Sequence, residues 1–252
     1  FSTIVRMSLP FYCLLATLLV SLGVGHSPNN PVYASPSSSI LHGVDSSSAT
    51  EVSMGTTIVA ARWGNHTHGG VVLGADSRTS RGTFASNRFA NKISTLSDRI
   101  VVGRSGSAAD SQHLVNSIRR ELADLELESG GAAINVKLAA GLVRHHCYTR
   151  RDQISVSMLT CGWDDVKGGQ IYQVPQGGSL LEANSFAVAG SGSQYITGWC
   201  GSAWKHGMTR EECAGFVEHA LRQAVDLDCQ SSPPFLLALL DGTGTERRSL
   251  FM

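Results

Sequence analysis

From Thr57 to Leu240 the chain sets its apolar segments in one order: a block of strands, two adjacent helices, a second block of strands, a helix and a last strand. That order constrains the fold more than any single motif. A doubly wound sheet needs strands and helices in strict alternation, and this chain has neither that alternation nor a dinucleotide-binding glycine fingerprint or P-loop. Thr57-Ile58-Val59-Ala60 and Val71-Val72-Leu73-Gly74 are β-branched runs separated by a polar loop, the pattern of a hairpin. Ile100-Val101-Val102-Gly103 reads as a further strand. Leu114, Ile118, Leu122 and Leu125 then share one helical face, closed by Gly130-Gly131. Ile134, Leu138, Leu142 and His145 repeat the spacing in a second helix that runs to about Arg150. Strands are predicted over 154–161, 170–174 and 186–189. Thr209 and Glu212 form a capping box for a helix that buries Cys213, Phe216, Val217, Ala220 and Ala224, and Phe235 to Leu240 is the final strand. The predicted class is α+β, two sheets covered by helices.

The first 55 residues do not fit that pattern. Leu9 to Val24 is an apolar run after Arg6, shaped like the hydrophobic part of a secretory signal and short for a bilayer span. Ser27 to Ser53 is rich in Ser, Pro, Asn and Gly and too poor in apolar residues to bury a core. We expect residues 1–55 to be a leader, either a signal peptide or a removable pro-segment, and residues 56–252 to be the folded domain. Asn65-His66-Thr67 is a glycosylation sequon that matters only under the signal reading.

Charge and cysteines exclude several classes of function. Twenty basic residues balance twenty acidic ones over 252 positions, which gives no support to a nucleic-acid binder or a membrane-surface protein built on a cationic face. The six cysteines, Cys13, Cys147, Cys161, Cys200, Cys213 and Cys229, show no C-x-x-C pair and no zinc spacing, so reduced thiols are expected and neither a metal nor a cofactor is called for. His145-His146-Cys147 lies on a helix and reads as packing and surface.

The chemistry starts where the leader meets the first strand. If the Gly55-Thr56 bond is cut, Thr56 gains a free α-amino group that can accept the proton of its own hydroxyl, so one residue supplies nucleophile and base. Gly55 leaves room for that hydroxyl to attack the preceding carbonyl. Asp76, in Gly74-Ala75-Asp76-Ser77-Arg78, and Lys92, in Asn91-Lys92, form a candidate ion pair; an ammonium near the Thr56 amine would depress its pKa. Arg104-Ser105-Gly106-Ser107-Ala108-Ala109-Asp110 joins a strand to a helix and can aim the Gly106 N–H at a developing oxyanion, or can be a plain capped turn. Gly190-Ser191-Gly192-Ser193 and Asp228-Cys229-Gln230-Ser231 are further small polar clusters.

Taken in order, Thr56-Thr57-Ile58, Gly74 to Arg78, Asn87-Arg88, Asn91-Lys92, Arg104 to Asp110 and Gly190 to Ser193 resemble the catalytic beta subunits of the 20S proteasome, over nearly all of 56–252. R-S-G-S-A-A-D is most similar to the subunit with caspase-like, post-acidic activity. The resemblance implies an N-terminal nucleophile hydrolase, an αββα sandwich of two antiparallel sheets, in a four-ring, 28-subunit barrel with other alpha and beta subunits, acting on unfolded polypeptides in cytoplasm and nucleus. Carried over by position, Thr56 is the nucleophile, freed from Gly55. Asp76 and Lys92 tune it, Gly106 stabilises the oxyanion, and Ser191, Asp228 and Ser231 surround the amine. Arg104, Thr79 and Ala108 would contact substrate, and a guanidinium suits an acidic side chain before the cut.

Ser232-Pro233-Pro234 stands where that family usually has glycines, so the loop after Ser231 must differ locally. Three other readings stay open on sequence alone: a noncatalytic architectural ring subunit, a secreted or anchored binding protein, and a bacterial-type two-ring threonine protease.

Overall fold

The computed structural model describes residues 55–65, 69–81 and 84–251. The leader readings, Cys13, and His66 and Thr67 of the sequon lie outside the described residues. In chain order the elements are β1 (Ile58–Trp63), β2 (Gly70–Ala75), β3 (Thr79–Arg81), β4 (Phe84–Asn87), β5 (Ile93–Ser97), β6 (Ile100–Gly106), α1 (Ala108–Glu128), α2 (Val136–Thr149), β7 (Val156–Asp164), β8 (Gly168–Val174), β9 (Leu181–Ala183), β10 (Phe186–Ala189), α3 (Ser193–Ala203), α4 (Arg210–Leu227), β11 (Phe235–Asp241) and β12 (Gly244–Leu250).

Two five-stranded antiparallel sheets result, ordered β10-β1-β2-β11-β12 and β5-β6-β7-β8-β9, with β3-β4 as a separate hairpin. Strand alternation explains why the central strands read as continuous apolar runs. In β1, Val59 and Ala61 face the cluster with α3 and α4, while Ile58 and Ala60 face the cluster between the sheets. In β6, Ile100 and Val102 pack under α1 and α2, and Val101 turns inward. Both faces of such strands are dry, so apolar residues occupy both phases of the period-two pattern. The layers are therefore helix, sheet, sheet, helix, as the resemblance implied.

The buried face of α1 is the one the sequence predicts, with Leu114, Ile118 and Leu122 in the core. On α4 the capping box is present on both sides, and Cys213, Phe216, Val217, Ala220 and Ala224 are buried. The face of α2 differs from expectation. Val136, Ala139, Ala140, Val143 and Cys147 form it, whereas Leu138 is 41% exposed and His145 is exposed. The small Ala139 and Ala140 meet no steric bar to a close approach, and α2 packs mainly on β7 and β8. One helix, α3, and the strands β3, β4, β5, β9 and β12 were not anticipated.

The register brings the ends of several strands together. Ile58 pairs with both Ala75 and Ala189, so residue 56 lies beside the end of β2 and the end of β10. Ile93 pairs with Gly103, which sets the start of β5 against the middle of β6, one residue before Arg104.

Candidate active site

Thr56 sits one residue ahead of Thr57 at the mouth of β1, 3% exposed, with its peptide bond to Gly55 intact. Its Oγ1 donates to the Gly55 carbonyl oxygen at 2.7 Å. Lys92, just before β5, extends its Nζ into the same place and donates to Asp76 Oδ1 at 2.7 Å, to Gly55 O at 2.9 Å and to Thr56 Oγ1 at 3.0 Å. The predicted Asp76–Lys92 pair is thus formed, and formed inside the protein.

Asp76 is fully buried at the end of β2. Besides Lys92 it accepts from the backbone N–H groups of Thr57 (2.9 Å), Arg78 (3.0 Å) and Ser232 (3.3 Å). Burial pushes the Asp76 carboxyl up and draws the Lys92 ammonium down, each toward its neutral form; their 2.7 Å contact works against both shifts. A lysine held below its ordinary range exchanges a proton with a hydroxyl more readily than a solvated one.

A second set of hydroxyls surrounds the backbone nitrogen of Thr56. That N–H donates to Ser191 Oγ at 3.1 Å, and Ser191 Oγ donates to Asp228 Oδ2 at 2.9 Å. Ser231 Oγ also reaches Asp228 Oδ2 at 2.9 Å and lies 2.7 Å from Thr57 Oγ1. Ser191 leads from β10 into α3, Asp228 caps the C-terminus of α4, and Ser231 belongs to the following turn. The prolines at 233 and 234 do not disturb the site, because the last backbone donor to it, the Ser232 N–H on Asp76 Oδ2, lies ahead of them both.

Gly55, Thr56, Thr79, Lys92, Arg104, Gly106 and Ala108 all line one small cavity of about 40 Å³. Gly106 closes β6 at φ +88°, and a Cβ there would run into the Ser155 carbonyl oxygen, so only glycine fits the strand-to-helix turn. Ser107 caps α1, accepting from Asp110 N; the turn is a capped turn and a wall of the cavity at once. Arg104 is buried in β6, and desolvation lowers its pKa. Every residue singled out for the site from sequence is therefore in this neighbourhood.

Among the described residues no cluster of His, Cys, Asp or Glu is arranged to hold a metal ion, and no helix is long and apolar enough to cross a membrane. His146 contacts Glu121 and Arg150, and Cys147 is buried, so that helical triplet packs as expected.

The family model for the proteasome subunit matches residues 52–238. The chain belongs to the proteasome subunit family. Its relatives include proteasome subunit beta type-6 of Dictyostelium discoideum, 38% identical over 79% of this chain and 90% of that protein, and beta type-6 of Arabidopsis thaliana, 40% identical over 77% and 81%. Proteasome subunit beta type-1 of Saccharomyces cerevisiae is 36% identical over 78% and 88%. The match begins just before Gly55 and so takes in the whole site of this proteasome subunit.

Some site residues of this subunit had no sequence signal. The Thr57 hydroxyl, the Ser232 N–H, and the groups that hold Arg104 belong to common residue types in unremarkable contexts. The register of β1, β5 and β6, the start of α1 and the turn after α4 bring them into place.

Proposed function

We propose that this chain is a catalytic beta-type subunit of the 20S core: an N-terminal threonine endopeptidase that releases Thr56 from Gly55 by self-processing and cleaves unfolded polypeptides after acidic residues. It works within the rings formed with other alpha and beta subunits, in cytoplasm and nucleus, after losing residues 1–55. The observation that carries this reading is the Thr56 hydroxyl, held between the Gly55 carbonyl and a lysine paired to a buried aspartate.

In the uncut chain, Thr56 Oγ1 attacks the Gly55 carbonyl carbon. The C–O bond forms, the C–N bond breaks, and the hydroxyl proton passes to the departing nitrogen. The Lys92 ammonium donates to both the attacking oxygen and the carbonyl oxygen, so it stabilises negative charge as it develops on either. Water then hydrolyses the ester, leaving the Gly55 carboxylate and a free Thr56 amine beside Ser191, whose hydroxyl is anchored on Asp228. In turnover that amine takes the Thr56 hydroxyl proton and returns it to the leaving amine of the substrate, while the Gly106 N–H receives the oxyanion; water then hydrolyses the ester on Thr56, freeing the product carboxylate and restoring the hydroxyl. Arg104, on the same cavity wall, offers a charge-assisted partner to a Glu or Asp side chain preceding the cut, with Thr79 and Ala108 beside the peptide.

The test is the N-terminal residue and intact mass of this subunit isolated from its assembled particle. A chain starting at Thr56 is expected, together with loss of both processing and post-acidic hydrolysis in a Thr56→Ala particle. A subunit that keeps Gly55 would overturn the proposal in favour of an architectural, noncatalytic role.

A further inference from the structure

Arg104 is held by three neutral oxygens. Its Nε donates to Ser94 Oγ at 2.9 Å, Nη1 to Ser111 Oγ at 3.2 Å and Nη2 to the Asn91 carbonyl at 2.6 Å. The three come from different places: Ser94 from β5, Ser111 from the first turns of α1, and Asn91 from the loop entering β5. Among the described residues no carboxylate forms an ion pair with this guanidinium; burial lowers its proton affinity, and the Lys92 ammonium is close enough to feel its charge. Of its five N–H donors, three are engaged. One remains on each terminal nitrogen, which is the set a carboxylate takes in a bidentate pair.

Resting on the post-acidic reading, we propose that Ser94 and Ser111 are positioning residues for specificity: their hydroxyls fix the Arg104 guanidinium without cancelling its charge, so an acidic side chain meets a preset and uncompensated cation. A carboxylate at either position would hold the arginine more strongly, but it would occupy the donors and neutralise the charge that substrate must find. A methyl group would leave a buried guanidinium short of acceptors and free to turn away. Ser111 is the more constrained of the two, because it is 1% exposed and its hydroxyl also donates to the Ala108 carbonyl at 3.1 Å. Ser94 is only part-buried and tolerates a larger side chain more readily.

The experiment uses assembled particles carrying this subunit as wild type, Ser111→Asp, Ser94→Asp, the Ser94→Ala/Ser111→Ala pair, Ser111→Thr or Arg104→Ala. Two fluorogenic peptides differing only in Glu or Leu before the cut are assayed, and the rate of a Thr56→Ala particle is subtracted. Intact mass confirms release of Thr56 in each. Either aspartate should lower the Glu-to-Leu ratio of kcat/KM about tenfold or more, the loss of a charge-assisted pair, and the fall should lie in KM. The alanine pair should raise KM for the Glu peptide several-fold, and Ser111→Thr should keep the ratio. An unchanged ratio in both aspartate variants, or a fall in kcat alone with both peptides affected alike, would overturn the proposal. The two ideas fail separately: an unchanged ratio in Arg104→Ala removes the post-acidic reading itself, whereas a collapse there with intact serine variants removes only the role of the serines.

Discussion

Replacing Gly55 by alanine should slow self-processing and leave the mature site untouched. The φ of Gly55 is one that any residue adopts, so space alone excludes a side chain. A Cβ there would fall on the Gln230 Cβ and carbonyl oxygen and lie 2.7 Å from the Gln230 carbonyl carbon, where ordinary contact begins at 3.4 Å. The contacts with the Gln230 Cβ and oxygen are tighter still, so the junction and the 228–231 turn must part by about 1 Å or more. That movement separates Thr56 Oγ1 from the carbonyl it attacks and Gly55 O from Lys92. Misplacement of about 1 Å between reacting groups costs on the order of 10²-fold in rate, so processing should slow by roughly ten- to a hundredfold. The assay is a time course of intact mass after synthesis, scoring the fraction of chains that begin at Thr56. As a companion, a chain in which a separate protease exposes Thr56 directly should cleave peptides at the wild-type rate, because Gly55 is then gone. Wild-type processing of Gly55→Ala would refute the steric argument. Failure of the directly exposed Thr56 chain would refute the claim that Gly55 serves processing only.

Three further outcomes follow from the geometry. Lys92→Met should abolish processing and, by leaving the Asp76 carboxylate buried without its cation, destabilise the fold by about 3–5 kcal/mol; adding Asp76→Asn should recover most of the melting temperature and none of the activity. Burial raises the thiols of Cys147 and Cys200 to about 11 and that of Cys213 to about 12, and raises Cys161 further, so all four stay protonated at pH 8. A mature chain should therefore take up one alkyl group, on the exposed Cys229, with the other four appearing in the mass only after unfolding. Thr209→Ala removes the hydroxyl half of the α4 capping box, leaving the backbone N–H of residue 209 on Glu212, and should cost about 1 kcal/mol, read as a melting shift of roughly 2–4 °C with cleavage kinetics unaltered.

Much of this fold was legible because the central strands are dry on both faces and announce themselves as β-branched runs, and because α1 and α4 carry wide apolar stripes with clear caps. The rest was illegible for physical reasons. In α2, Leu138 is exposed while Ala139 and Ala140 are buried beside Val136 and Val143, so hydrophobicity alone misplaces the centre of the buried face, and Leu142 packs against the core only in part. In α3, Gly192 stands at the cap without a side-chain bond, and Gly198 and Gly201 interrupt the helical pattern, so neither a start signal nor a propensity marks it. At the site, the main participants were visible because they stand in ordered motifs, but Ser94 and Ser111 were not, since a serine that holds an arginine looks like any other serine until the register is known.

The energetics of Asp76 and Lys92 bear on the choice between a catalytic and an architectural subunit. A buried ion pair gains little over well-packed apolar residues of the same size, and removing one partner is costly. A chain needed only to fill a ring position would be at least as stable with an apolar pair between β2 and β5, where the Ile93 and Ala75 neighbours are already in the core. Here the pair instead leads, through one ammonium, to a threonine hydroxyl and to the carbonyl that precedes it, and each of those contacts is 3.0 Å or shorter. Packing has no use for that arrangement, because an ordinary strand residue at position 56 would not need the cation. Under the proposed function its use is chemical: it would hold a nucleophile, a proton-exchanging group and the bond to be broken in one place before any substrate arrives.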